Sequence, residues 1–284
     1  MGHVADTGTS GPTRRAALTL LGAAGLAVLG ADGALHGTAH ADRVRQAANA
    51  GRPAQHLKPT PTPKPSPVAT PRPASWTQER LTLVKAPIRD IFKDVSPPAP
   101  PNSIALTIDD GPHPTWTPQV LDVLAEFEVH ATFFQIGEQI QEWPKLTRRV
   151  VAAGHQICNH TQTHPIPFDH VRGKRLRKEV IEPFHRVADV TGVVPTLFRA
   201  PGGAWSKPSL ELIAEHGMLP VDWAVDPTDW SRPGVGHIRR TMLSAKAGNV
   251  LLCHDGGGDR SQTVAALRAV IPKLKKRGLN FVAL

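Results

Sequence analysis

The 284-residue chain has no tyrosine, two cysteines, three methionines and only 5% aromatic residues. Two cysteines are too few for a disulfide-stapled scaffold; in an exported chain they permit one bridge, though spacing alone does not show that its geometry is allowed. Buried free thiols are the expectation for Cys158 and Cys253. No phenol ring is available to any site. The apolar run Ala16 to Gly30 is shorter than the ~20 residues needed to span a bilayer. Charged residues make up only 20% of the chain, yet they are unequal, 33 basic against 24 acidic. A balance of +9 fits nucleic acid, an anionic surface or an acidic polymer, and composition does not choose among them. With 40% hydrophobic residues the chain is too apolar to be wholly disordered.

The chain divides into three parts. Arg14-Arg15 stand directly before the apolar run, and Ala39-His40-Ala41 follows it. A positive start, an apolar stretch and a small-x-small site are the layout of an export signal. The paired arginines point to the twin-arginine route across a bacterial cytoplasmic membrane, with cleavage after Ala41. An uncleaved anchor is the alternative. Residues 42–101 read as a disordered, Pro-rich linker: prolines recur at 53, 59, 61, 63, 65, 67, 71 and 73, which favours extended polyproline II. Within it, residues 76–95 form a candidate short ordered element. Residues 42–99 hold ten basic and four acidic residues, against 21 and 18 in residues 100–284, so most of the excess charge lies in the tether. It can be drawn to an anionic cell wall.

Residues 102–284 alternate β-like apolar runs with amphipathic stretches, the pattern of an α/β domain. Strands are expected at 103–109, 131–136, 156–159, 196–199, 218–225, 249–254 and 280–284. Helices are expected from Thr117, as N-cap with Pro118 next, and at 144–153, 174–190, 208–216, 238–245 and 263–277. Seven strands, each of the first six followed by a helix, imply a closed or nearly closed parallel barrel; an open doubly wound sheet is the other candidate. In such barrels the reactive groups gather where the strands end.

Five strand ends carry polar groups. The first is Asp109-Asp110-Gly111-Pro112; adjacent carboxylates repel unless a cation lies between them, but a plain turn has the same look. The third is His160-Thr161-Gln162-Thr163-His164. Two imidazoles four apart can face one ion, and with a carboxylate they form an open set that suits zinc and its neighbours. Two unrelated surface histidines are the alternative in isolation. The fourth is Arg199-Ala200-Pro201-Gly202-Gly203, whose tight turn can aim backbone N–H groups at a ligand. Asp226-Pro227-Thr228-Asp229-Trp230 closes the fifth and Cys253-His254 the sixth, making Asp229 with His254 a candidate acid pair. Each signal is modest alone; their order along the chain makes them specific.

The runs TIDDGP (107–112), HTQTH (160–164), RAPGG (199–203), DPTDW (226–230) and LCH (252–254) resemble the five motifs of the NodB-homology polysaccharide deacetylases, carbohydrate esterase family four. The resemblance covers residues 102–284 and implies a distorted (β/α) barrel of about seven strands. It implies a divalent metal held by Asp110, His160 and His164, with zinc first and cobalt, nickel or manganese as other occupants. It further implies Asp109 as catalytic base, Arg199 as its partner, and His254 as general acid tuned by Asp229. Gly202 is expected to offer its backbone N–H to the oxyanion, and Trp230, Pro201 and Trp205 to wall the substrate cleft. Thr161 is expected to steady the loop between the ligands.

One departure stands out: the third motif usually has Tyr where this chain has Gly202. The backbone N–H is kept while the ring is lost, and Trp205 or Trp223 are candidates to stack on a sugar in its place, with plain packing in the core as the alternative for either. The resemblance thus implies a deacetylase of N-acetylglucosamine polymers. The twin-arginine signal and Pro-rich spacer place it outside a bacterial membrane, secreted or wall-associated, where peptidoglycan is the first expected substrate and chitin the second, and a monomer is expected. It meets the membrane only during export. An acetylxylan esterase and a catalytically silent wall-binding module are the alternatives. No nucleic-acid motif supports reading the charge as nucleic-acid binding.

Overall fold

The computed structural model describes residues 86–284; the expected export signal, 1–41, and the expected linker up to residue 85 lie outside the described residues. Seven strands alternate with helices: β1 Ser103–Asp109, α1 Trp116–Glu126, β2 Thr132–Gln135, α2 Gly137–Glu142, α3 Pro144–Ala152, β3 Gln156–Asn159, α4 Gly173–Thr191, β4 Leu197–Phe198, α5 Lys207–Glu215, β5 Leu219–Pro220, α6 Val235–Leu243, β6 Val250–His254, α7 Ser261–Lys276 and β7 Asn280–Val282. Every ladder is parallel, in the order β5-β4-β3-β2-β1-β6, with β7 on the first half of β1. This is a curled, incompletely closed parallel barrel rather than an open doubly wound sheet.

Between β5 and β6 the seam is joined by single bridges instead of a ladder. Val225 pairs with Leu251, while Ile88 bridges to Val221 and Asp90 to Asn249. Backbone bonds from Ile88 N–H to Pro220 O (2.9 Å) and from Val250 N–H to Arg89 O (3.1 Å) stitch this strap across the gap. Ile88 and Ile91 are buried in one core cluster with Ala105, Phe134, Leu197, Leu219 and Val250. The ordered domain therefore reaches upstream of residue 102, at least to Ile88.

The pleat of β1 sorts its residues. Ile104, Leu106 and Ile108 join the cluster built with α1, α6 and α7, while Ala105 faces the inner cluster, as the period of two requires. Thr107 and Asp109 share that inner side by the same alternation, so the last inward residue of β1 is a carboxylate. Parallel register places Asp109 opposite His254 of β6 and Asn159 opposite Phe198 of β4. The strand ends thus line up at one rim.

Several local expectations change. The expected fifth strand, 218–225, shrinks to Leu219–Pro220, with Val225 left as an isolated bridge to Leu251. Helix α1 starts at Trp116, with Thr115 as N-cap, not at Thr117. The Thr117 hydroxyl is used elsewhere: it donates to Asp255 Oδ2 (2.6 Å) and accepts the His113 N–H (2.7 Å). The short helix α2 was not anticipated; at six residues it is too brief for helical periodicity to show. Cys158 and Cys253 are buried and unbridged, and burial pushes both thiols well above their usual range.

Candidate active site

Consecutive strand residues point to opposite faces, so Asp109 and Asp110 should diverge. They do not, because Asp110 adopts a left-handed backbone with φ of 72°, which turns its carboxylate back over the rim. Two glycines make room. A Cβ on Gly111 would come within 2.4 Å of Asp255 Oδ1, and one on Gly256 within 1.9 Å of the Asp110 carbonyl oxygen. The turns after β1 and β6 therefore interlock at van der Waals limits.

Asp109 is buried, and its Oδ1 lies 2.7 Å from Arg199 Nη1. Arg199 is wholly buried. Its other N–H groups reach Thr107 Oγ1 (2.8 Å), Asp222 O (2.9 Å) and Val221 O (3.3 Å), and its guanidinium lies 4.2 Å over the Phe134 ring. That fork holds one Asp109 oxygen in place. The other, Oδ2, faces His160 Nε2 at 3.7 Å.

Asp110, His160 and His164 converge, their candidate ligand atoms all within 4.8 Å of one another. Asp110 Oδ1 is 3.4 Å from His160 Nε2 and 3.3 Å from His164 Nε2. It is also a buried oxygen without a hydrogen-bond partner. His160 Nδ1 bonds the Arg199 carbonyl at 2.8 Å, leaving Nε2 as the ligand atom. Burial raises the Asp110 pKa, but the His160 imidazole facing it and the charges of His254 and His164 outweigh it and hold the carboxyl well below its usual range. Burial and His160 lower the His164 pKa, which keeps this imidazole neutral and able to bind a cation. An orphaned buried carboxylate oxygen facing two imidazole nitrogens fits a divalent ion, and the mixed N/O donor set suits zinc among others.

The loop carrying both histidines is pinned from several sides. Thr161, at φ of 69°, donates its N–H to Asn159 Oδ1 and accepts the His164 N–H on Oγ1, each at 3.0 Å. Glu179 of α4, which sequence reasoning missed, is buried and accepts the N–H groups of Gln162 (3.1 Å) and Thr163 (2.8 Å) and the Thr163 hydroxyl (2.7 Å). In the sequence it is one charge among the run KRLRKE; only its burial sets it apart.

On the other side of Asp109, His254 Nδ1 is 2.7 Å from Asp229 Oδ1. Asp229 Oδ2 accepts the His254 N–H (2.9 Å) and the Thr263 hydroxyl (2.7 Å). Burial disfavours the imidazolium, but the Asp229 hydrogen bond and charge, with Asp110 and Asp109, prevail and raise the His254 pKa to about 9. His254 is then a cation at neutral pH with Nε2–H free to donate. Asp255, which follows His254 at the end of the sixth strand and had no role assigned from sequence, is fully buried. Burial, opposed by the Thr117 hydrogen bond and aided by Asp110 and Asp109, lifts its pKa to about 7.

The three residues expected to wall a cleft differ. Trp230 is 56% exposed and free to stack on a ligand. Pro201 is buried at the start of the Pro201–Gly203 turn. Trp205 is packed rather than presented: its N–H donates to Asp222 Oδ1 at 2.8 Å and its ring meets Phe198 edge-on at 6.0 Å. Trp223, not Trp205, abuts the turn, 3.2 Å from a Cβ placed on Gly203. Gly202 has φ of 61°, and a Cβ built there meets nothing within 4 Å, so the space a side chain would fill is open. Arg89 of the strap, 2.8 Å from Asp222 Oδ2, shares that carboxylate with Trp205.

Residues 96–221 match the family model described as Polysaccharide deacetylase; the Asp229–His254 pair lies beyond the matched stretch. The peptidoglycan-N-acetylglucosamine deacetylase of Bacillus cereus is 42% identical over 182 residues, 63% of this chain and 84% of that protein. The chitooligosaccharide deacetylase of Sinorhizobium fredii is 44% identical over 189 residues, 62% of this chain and 87% of its own. Among solved structures, the Bc1960 peptidoglycan N-acetylglucosamine deacetylase in complex with an N-oxidanyl-benzamide superposes with a TM-score of 0.66 at 31% identity. It covers 74% of this chain and 95% of that one. With most of a relative's length matched at this identity, on the same curled parallel barrel, the chain belongs to the polysaccharide deacetylase family, carbohydrate esterase family four.

Proposed function

We propose that the protein is a secreted, metal-dependent deacetylase that hydrolyses N-acetyl groups of N-acetylglucosamine polymers, with peptidoglycan favoured over chitin. One observation carries the reading: a buried carboxylate held by Arg199 and a raised-pKa imidazole held by Asp229 flank one candidate metal cradle. Acid and base held apart by different partners are what hydrolysis of an amide needs.

When bound at Asp110, His160 and His164, a divalent ion supplies Lewis-acid polarisation and a lowered water pKa. The chain supplies the proton steps. Asp109, with Oδ1 fixed by Arg199, accepts the water proton on Oδ2 as the acetamide carbon is attacked. His254, charged and oriented through Nδ1, delivers the Nε2 proton to the departing amine. The Gly202 N–H stabilises the developing oxyanion, a backbone role indifferent to the missing ring. Acetate and a free amino sugar result.

Acetate release from peptidoglycan, chitin oligomers and acetylxylan tests this. Release from the first two and not from acetylxylan supports the proposal; release from acetylxylan alone makes the protein an esterase, and none at all makes it a silent module. Export rests on Arg14-Arg15 and the following apolar run. Protein recovered outside the membrane should begin at residue 42, and Arg14→Lys, Arg15→Lys should retain it in the cytoplasm; unchanged secretion of that variant would refute the twin-arginine route.

A further inference from the structure

We propose that a cavity beside the histidine loop, bordered by the basic start of α4, is a subsite for the peptide-stem carboxylates of a glycan polymer. The preferred substrate is then an acidic N-acetylglucosamine polymer rather than a neutral one. This rests on the deacetylase reading and narrows it.

The cavity measures about 350 Å³ and begins at Pro165, the residue after the candidate ligand His164. Ile166 and Pro167 form its apolar side, and His170, Arg172 and Arg175 its basic side. No side chain of the metal cradle lines it, so a group held there lies beside the cradle, one residue past His164 in the chain, and not in it. Its volume is at the lower end for small-ligand sites. Ile166 is 72% exposed, an apolar surface available to the face of a sugar ring.

Charge sets the class of ligand. Arg172, Lys174, Arg175, Arg177 and Lys178 are all exposed, and among the described residues none of the five pairs with a carboxylate. The nearby acids do not answer them. Asp169 stands beside His170 at 3.9 Å, and Glu179 is buried in the histidine loop by three hydrogen bonds. The first turn of α4 has no acidic residue, so these cations oppose both one another and the helix dipole. Such an arrangement does nothing for the stability of the helix, whereas it complements an anionic polymer. Arg172 is further positioned by donating to the Val171 carbonyl at 2.9 Å. Chitin has no charge to meet this patch; the peptide carboxylates of peptidoglycan do.

The test uses the full chain, loaded with a divalent ion, on peptidoglycan before and after amidation of its carboxylates, and on chitin oligomers. Co-sedimentation with each form of peptidoglycan is measured alongside acetate release. The wild type should bind and deacetylate untreated peptidoglycan better than the amidated form. Arg172→Gln with Arg175→Gln should weaken binding and kcat/KM on the untreated form about five- to tenfold, through KM, leaving rates on the other two substrates unchanged. Arg172→Lys with Arg175→Lys should retain wild-type behaviour. Equal wild-type binding to both forms, or an equal loss by the Gln variant on both, overturns the subsite. If no polymer yields acetate the deacetylase reading fails, and co-sedimentation still decides the charge question.

Discussion

Asp109 and Arg199 meet at 2.7 Å in full burial, joining the end of β1 to the end of β4 across the barrel. Removing one partner of such a pair leaves a charge with neither water nor counter-ion. Arg199→Met should therefore destabilise the domain by about 3–5 kcal/mol, read as a lower denaturation midpoint. Adding Asp109→Asn should restore part of that loss. A single variant as stable as the wild type would mean the pair does not bear on folding.

His254 should set the alkaline limb of the pH profile. Its pKa is about 9 against an ordinary 6.5, so its charge stabilises the fold fully below pH 6.5, and that contribution is lost as pH rises through about 9. A cation beside Asp110 and Asp109 offsets part of their pull, so kcat/KM of the metal-loaded enzyme should fall between these two values. Asp229→Asn should move the limb down by about one to three pH units. An unmoved limb would assign it to another group.

The candidate cradle should bind one divalent ion through side chains and not through the tether. After chelation, adding zinc or cobalt should raise the melting temperature of the wild type. His160→Ala with His164→Ala should abolish both the rise and the stoichiometric ion. Retention of one ion per chain by that double variant would sink the ligand assignment.

The strap closing the seam makes a prediction about boundaries. Ile88 is 1% and Ile91 2% exposed, and Ile88→Ala should cost about 2–5 kcal/mol. A chain starting at residue 86 should melt like the full-length protein, and one starting at 102 well below it. Equal melting temperatures would show that the strap only lies on the surface.

The strand ends were legible because a parallel barrel places its polar residues there, and Asp109, His160, Arg199 and His254 each end or directly follow a strand, whereas Asp229 lies on the Asp229–Ser231 turn well past the shortened β5. Element types held while some edges shifted. Thr117 has the composition of an N-cap, yet its hydroxyl is drawn to Asp255 138 residues away, a contact no local pattern announces. Glu179 and Asp222 were invisible for the same reason: their partners are brought by the fold, not by spacing. The strap at Ile88 follows a Pro-rich stretch and has no periodicity of its own, so its place in the core depends on a gap that exists only once β5 and β6 are apart. Trp205, aromatic and near the third motif, is open in the sequence to either a cleft wall or core packing; its N–H bond to Asp222 fixes the half-buried ring through a contact that spacing does not announce.

The central claim, that Asp109 is the base of a metal-dependent deacetylase, is tested most directly by acetate release from N-acetylglucosamine oligomers. Wild type and Asp109→Asn would be compared, each loaded with one divalent ion and verified as folded. The account predicts acetate and free amine in equal amounts from the wild type, and a rate lower by about 10²–10⁴-fold in the variant with its ion still bound. Undiminished acetate release by the variant, or none from the metal-loaded wild type, would contradict it.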